Sequence, residues 1–292
     1  MHILMIHGIG QEASAKKELL HKWSESLHAV QPGLLDQHSV EMAYYGTTLA
    51  DWASGKTAAA VGMGADTIKV DLANAEELNF LSAVVEEFVN DRGINEAEID
   101  AAAAADIDCC NAIPMDNFIA RRLVSIMRVI EKISPVKGAI FLRVIRQGHT
   151  YLSSPGAAKA VDDIVRPLLQ KSPQVLITHS LGTVIAFKLL REMEKRGAGV
   201  KIPLLITMGS PLGLEAFKAK LGAPRRKPVF VEQWINFYDP SDFVTLGKPL
   251  DEMNFASKIQ NDGTVDNKTF NYHGILGYLP HKAVIDALKS VL

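Results

Sequence analysis

The chain has 292 residues, 48% of them apolar and 22% charged, with a formal net charge of −2. That length suits one large α/β domain with an insertion, or two modest domains, and the apolar content is ordinary for a globular chain. The near-neutral balance argues against a nucleic-acid or anionic-membrane partner held by bulk charge, and the one basic cluster, Arg225-Arg226-Lys227 between Pro224 and Pro228, reads as a solvated loop.

The two cysteines, Cys109 and Cys110, are adjacent, which makes a strained bridge, and no metal-ligand spacing surrounds them. They read as reduced thiols. Met1-His2-Ile3-Leu4-Met5-Ile6 already has the pattern of a strand and leaves no room for a secretory leader before it, so the expected location is cytoplasmic.

In chain order, strand 2–6 runs into His7-Gly8-Ile9-Gly10-Gln11, flexible backbone at the end of a strand. Residues 13–29 carry Leu19, Leu20, Trp23 and Leu27 on one side and predict a helix. A second strand is expected at 39–45, ended by Gly46. Gly55-Lys56-Thr57 imitates a phosphate loop, but Ala50 stands where the loop's first glycine belongs and Trp52 would crowd the backbone amides. No nucleotide site is expected.

Residues 56–150 exceed what a crossover needs and read as an insertion. Two amphipathic helices are expected in it. One, near 76–91, shows Leu78, Leu81, Val84, Val85 and Phe88; the other, near 117–133, shows Ile119, Leu123, Ile126, Met127, Ile130 and Ile133. Charges interrupt both, at Glu86-Glu87 and at Arg121, Arg122 and Arg128, so neither is a membrane span. They fit equally a lid over the active edge and extra core or a dimer face. The alanine run 101–105 is helical filler. Gly156 to Gln170, with Ala160, Ile164, Val165 and Leu168 in step, supplies the crossover helix.

Val175-Leu176-Ile177-Thr178-His179-Ser180-Leu181-Gly182 is the stretch the chain is organised around. A buried strand breaks at His179-Ser180 and turns into a helix with Ala186, Leu189, Leu190 and Met193 on one face. A sharp strand–serine–helix turn lifts a hydroxyl over the sheet edge, where free helix N–H groups face a developing oxyanion. The bland alternative is a plain junction, with Ser180 a helix cap and His179 a satisfied core residue. The N–H groups of Ile9 and Leu181 are the candidate oxyanion donors.

Residues 204–208 form the next expected strand, closed by Gly209-Ser210-Pro211-Leu212-Gly213. Ser210 is a rival nucleophile, but Pro211 removes a donor where an oxyanion would need one, so this segment reads as a loop lining the site. A strand at 229–238 delivers Asp239-Pro240-Ser241-Asp242-Phe243-Val244, residues 268–272 predict a last short strand before His273-Gly274, and a closing helix starts near Pro280. A nucleophilic serine needs an imidazole and an orienting carboxylate, each just after a strand at the same edge, in chain order serine, acid, histidine. Of nine histidines only His273 and His281 follow Ser180. His273 is favoured because His281 falls in the first turn of the last helix. For the acid, Asp242 precedes apolar Phe243-Val244, which would bury it, while Asp239 precedes proline and suits a turn; both stay open.

His7-Gly8-Ile9-Gly10, Thr178-His179-Ser180-Leu181-Gly182, Gly209-Ser210-Pro211, Asp239-Pro240-x-Asp242-x-Val244 and His273 with Tyr278 resemble the α/β-hydrolase superfamily, in particular its lipase- and esterase-like bacterial members. The resemblance covers most of the chain outside the insertion. It implies one α/β-hydrolase domain over 1–292, a mostly parallel sheet of about six strands flanked by helices, and a helical insertion before the serine's strand. By the same resemblance Ser180 is the nucleophile, His273 the base, Asp242 the acid, and the amides of Ile9 and Leu181 the oxyanion hole. The implied activity is that of a serine hydrolase acting on a small-molecule or lipid acyl ester, with no metal or organic cofactor. Thr178 departs from the family's usual glycine, which puts activity in question. The alternatives are a non-catalytic binding or scaffold protein on the same fold, or a thioesterase or acyltransferase with the same residues. Substrate, acyl length and oligomeric state, homo-oligomer included, stay open.

Overall fold

A computed structural model describes residues 1–54, 59–61, 68–70, 74–105, 117–133 and 135–292. Cys109, Cys110 and Gly55-Lys56-Thr57 lie outside the described residues.

In chain order the elements are β1 (His2–Ile6), α1 (Lys16–His28), β2 (Ser39–Ala43), α2 (Gly46–Ser54), β3 (Ala59–Val61), β4 (Ile68–Val70), α3 (Ala75–Arg92) and α4 (Glu96–Ala105). There follow α5 (Phe118–Ile133), α6 (Pro135–Ser153), α7 (Pro155–Leu169), β5 (Gln174–His179), α8 (Leu181–Lys195), β6 (Ile202–Met208) and a 3-10 turn at Pro211–Gly213. The chain closes with α9 (Glu215–Leu221), β7 (Val231–Phe237), β8 (Gln260–Asp262), α10 (Ile275–Tyr278) and α11 (Lys282–Lys289).

Six strands form one sheet in the order β2-β1-β5-β6-β7-β8, every pairing parallel. Parallel sheets carry helices on both faces, and alternation along each strand shows this directly. Ile3, Met5, Val175, Ile177, Leu204 and Ile206 face one apolar cluster with Leu19, Trp23 and Leu27 of α1 and Val284 and Leu288 of α11. Leu4, Ile6, Leu176 and Leu205 face the other, with α7, α8 and the helices of the insertion. All six residues of β5 are buried, at roughly 2 kcal/mol for each large apolar side chain.

The chain builds β2 to one side of β1 and then crosses back over β1 to add β5 on the other side. At such a reversal the loops leaving the two central strands diverge and open a crevice at their C-terminal ends. The loop after β1 and the corner after β5 meet there, which is why His7–Gln11 and Ser180, far apart in sequence, share one site.

The helices expected near 76–91 and 117–133 are α3 and α5, and the crossover expected from Gly156 is α7. Asn74 caps α3 by accepting from Glu77 N at 3.1 Å, and Gly93 ends it in the left-handed conformation. The apolar face of α3 is buried, but α5 leaves Ile119 and Ile133 exposed at its ends. Arg122 of α5 binds Glu86 of α3 and Glu96 of α4, so the charges that exclude a membrane span tie the insertion together instead. No helix among the described residues is long and apolar enough to cross a membrane.

Three differences from the sequence expectation stand out. The strand expected at 268–272 is a loop, and the sixth strand is β8 at Gln260–Asp262, paired to β7. Apolar–polar alternation over 268–272 imitates a strand, but Asn267 and Asn271 spend their side chains on nearby backbone N–H groups and Tyr272 sits at φ 54°. Gly46 opens α2 rather than merely ending a strand, and α6 is a long helix that no periodicity announced. Among the described residues, the main sheet is wholly parallel; β3 and β4 form a separate antiparallel pair.

Candidate active site

β5 ends at His179, and Ser180 turns the chain into α8 with φ 52° and ψ −129°, a conformation L-residues adopt at a cost. The corner is held by Ser180 N, which donates to Met208 O at 2.9 Å, and by Thr183, whose backbone N and Oγ1 both donate to Ser180 O. Two glycines let it sit this close to β1. A Cβ on Gly182 would stand 2.4 Å from the carbonyl oxygens of Ile6 and His7, and one on Gly8 would stand 2.6 Å from Ser180 Cβ. Thr178 is buried and donates to Ile206 O at 2.7 Å, so its hydroxyl is spent across the sheet.

Ser180 Oγ lies 2.8 Å from His273 Nε2, and His273 Nδ1 lies 2.8 Å from Asp242 Oδ2. All three residues are buried. Asp242 Oδ1 accepts from Val244 N at 2.8 Å, and Oδ2 also accepts from Tyr278 OH at 2.7 Å. With the carboxylate as acceptor, the imidazole proton belongs on Nδ1 and the Nε2 lone pair faces the serine hydroxyl. Gly209 lies flat against this pair: its φ is 56°, and a Cβ there would meet His273 Nδ1 at 3.0 Å and Asp242 Oδ2 at 3.2 Å.

The other candidates stand outside this hydrogen-bonded path. Asp239 accepts from Ser241 N and Asn267 N, both at 2.6 Å, and so shapes the turn and the loop behind it. His281 is the N-cap residue of α11, its carbonyl taking Val284 N and Ile285 N. Ser210 Oγ pairs with Thr183 Oγ1 at 2.7 Å and accepts from Leu212 N at 3.3 Å. The 209–213 segment does not line the cleft; it supports His273 from below through Gly209.

Sequence reasoning passed over several supporting residues. Tyr278 entered only as part of a motif, yet it binds Asp242 and accepts from Asp239 N at 3.1 Å. Burial and the Asp242 charge push its hydroxyl pKa well above the ordinary value, so it stays a donor. Asn271 Oδ1 accepts from His273 N at 3.0 Å and Gly274 N at 2.8 Å, and Asn267 Nδ2 donates to Gly274 O at 2.9 Å; asparagines flanking a histidine loop were the available signal. His179 Nε2 donates to His273 O at 2.7 Å, and burial holds its pKa well below the ordinary value. His7 is neutral for the same reason, its pKa lowered to about 4. Its Nδ1 donates to Gly8 O at 2.5 Å and its Nε2 accepts from Tyr45 N at 3.1 Å, pinning the glycine turn to the end of β2.

Above these groups opens a cleft of about 420 Å³. Ile9, Leu19, Trp23, Ile140, Ile275 and Leu276 form its apolar walls, with Ser180 and His273 at its base. Leu181 is the first residue of α8, so its N–H has no partner within the helix. Neither α3 nor α5 lines the cleft; among the described residues of the insertion only α6 reaches it, through Ile140 and Arg143. Among the described residues no group of histidine, cysteine and carboxylate side chains could hold a metal ion. Comparison with protein-family models, with curated proteins and with solved structures returns no match to this chain.

Proposed function

We propose that this chain is a serine hydrolase of the α/β-hydrolase type that cleaves a carboxylic ester through an acyl-enzyme. The observation that carries the reading is the continuous hydrogen-bonded path Ser180 Oγ, His273 Nε2, His273 Nδ1, Asp242 Oδ2, with both links at 2.8 Å. A serine as plain helix cap has no need of an imidazole and a buried carboxylate behind it. The left-handed Ser180 between a parallel strand and a helix, with serine, acid and histidine in that chain order, supports the superfamily assignment.

In the proposed reaction His273 Nε2 takes the Ser180 proton as Oγ attacks the ester carbonyl, and Asp242 stabilises the imidazolium that forms. The N–H groups of Ile9 and Leu181 receive the oxyanion. His273 then protonates the leaving alcohol, and water, deprotonated by the same ring, releases the acid from Ser180.

A fluorophosphonate probe reacts with an activated serine. Labelling at Ser180, retained in Ser210→Ala and absent in Ser180→Ala, is the expected result. A folded wild-type protein that takes up no probe would leave a binding protein on this fold.

A further inference from the structure

His179, the residue before the nucleophile, is a side chain of the cleft wall whose hydrogen bonding is half spent. It is 7% exposed and lines the cleft. Its Nε2 lies 2.7 Å from His273 O, and a carbonyl oxygen only accepts, so Nε2 carries the ring proton. Burial, with the His273 ring beside it, holds the His179 pKa well below the ordinary value and keeps the ring neutral. Nδ1 is therefore a bare lone pair, an acceptor that cannot donate. Nothing among the described residues donates to it. Trp23 Nε1, in the same wall, also lacks a partner but is closed off from any ligand; His179 Nδ1 is not closed off in this way.

This lone pair stands beside the reacting oxygen. A Cβ placed on Gly8 would lie 3.1 Å from His179 Nδ1 and 3.2 Å from Ser180 Oγ, so both atoms front the same small volume. The His179 ring also packs on that of His273, with centroids 4.8 Å apart. An ester seated on Ser180 thus brings the atoms nearest its carbonyl up to Nδ1. Hydrocarbon at that place strips water from the lone pair and returns no hydrogen bond, whereas a hydroxyl replaces the bond that the water made. A site with a committed acceptor discriminates strongly against the analogue that lacks the donor.

We infer that the cleft takes an ester bearing a hydroxyl a few bonds from the scissile carbonyl, and that His179 Nδ1 accepts the hydrogen bond of that hydroxyl. This rests on the reaction proposed at Ser180. The acyl chain and the leaving alcohol are both sources of such a hydroxyl, and the test tells them apart.

The test compares three esters of equal size: propyl butyrate, 2-hydroxyethyl butyrate and propyl 3-hydroxypropanoate. In the wild type kcat/KM for a hydroxylated ester should exceed that for propyl butyrate by about tenfold or more, and which of the two gains identifies the side that carries the hydroxyl. His179→Gln keeps an amide N–H for His273 O and has no acceptor where Nδ1 stands, so it should bring that ratio to about one. Weaker support of His273 lowers all three rates alike and leaves the ratio untouched. His179→Asn, with Oδ1 near the place of Nδ1, should keep part of the preference. A wild type without preference for either hydroxylated ester, or a preference unchanged in His179→Gln, would overturn the inference and leave the hydrolase reading intact. Calorimetric binding of the three esters to Ser180→Ala separates the other failure. A preference for a hydroxylated ester there, lost on adding His179→Gln, sustains the hydroxyl site even should the wild type cleave none of them. Binding without preference overturns it.

Discussion

The corners after β5 and β6 are neighbours in the sheet, and each holds a buried serine and a residue with positive φ. At the first, Ser180 itself takes the positive φ, and its hydroxyl meets an imidazole. At the second, Gly209 takes it, and the hydroxyl of Ser210, one residue on with φ −83°, turns back to cap its own 3-10 turn. Local sequence makes both serines candidates. What separates them is which residue carries the strain and which distant loop is docked above it, so the strain is informative only together with the His273 loop.

The largest effect that could break this distinction is on the serines themselves. Ser180→Ala should lower ester turnover by on the order of 10⁶-fold while the protein stays folded. Ser210→Ala should cost about 1 kcal/mol of stability in urea unfolding and leave the chemistry running. Similar rates for the two variants would move the nucleophile.

The aspartates make the same contrast one step weaker. Asp242→Asn should cost about 10⁴-fold in kcat, because an amide stabilises the wrong imidazole tautomer. Asp239→Ala should act on stability instead, at about 1–3 kcal/mol for each N–H left without an acceptor.

The pin at the foot of the Ser180 corner gives a pH signature. The His7 pKa falls from 6.5 to about 4 on folding, so below 6.5 the unfolded chain binds a proton that the folded one refuses. Stability should therefore be complete above pH 6.5 and fall as pH drops towards 4, by about 3 kcal/mol at 1.4 kcal/mol per unit. Urea unfolding of His7→Gln should show a flatter dependence over that window; an equally steep one would place the loss elsewhere, with His179 the next group to test.

Gly209→Ala sharpens the comparison, because it tests whether the quieter corner matters through its glycine. A Cβ pressing on His273 should displace the ring and reduce kcat by about 10²-fold, beyond the roughly 1–2 kcal/mol of backbone strain seen in unfolding. Smallest of all, Tyr278→Phe removes one of the three hydrogen bonds on the Asp242 carboxylate, those from Tyr278, His273 and Val244, and should lower kcat by about tenfold or less, with KM unchanged. A loss as large as that of Asp242→Asn would make Tyr278 part of the chemistry.

By itself the sequence determined that the chain is α/β, that buried strands alternate with amphipathic helices, and that a serine sits at a sharp strand-to-helix corner. These are local properties: side-chain period reports which faces are buried, and Gly8 and Gly182 mark where backbones approach. Chain order left two histidines and position after a strand left two acids; local sequence favoured His273 and Asp242 but could not join them, because a hydrogen bond spanning 31 or 93 residues has no local signature. Packing decided the rest. It joined Asp242 rather than Asp239 to His273, kept the Asn267–Asn271 loop out of the sheet by giving its side chains backbone partners, and drew the cleft from α1, the β1 loop, residues 269–276 and one insertion helix. Convergence of this kind comes from the reversal of strand order at β1, which brings loops together at one edge whatever their distance along the chain.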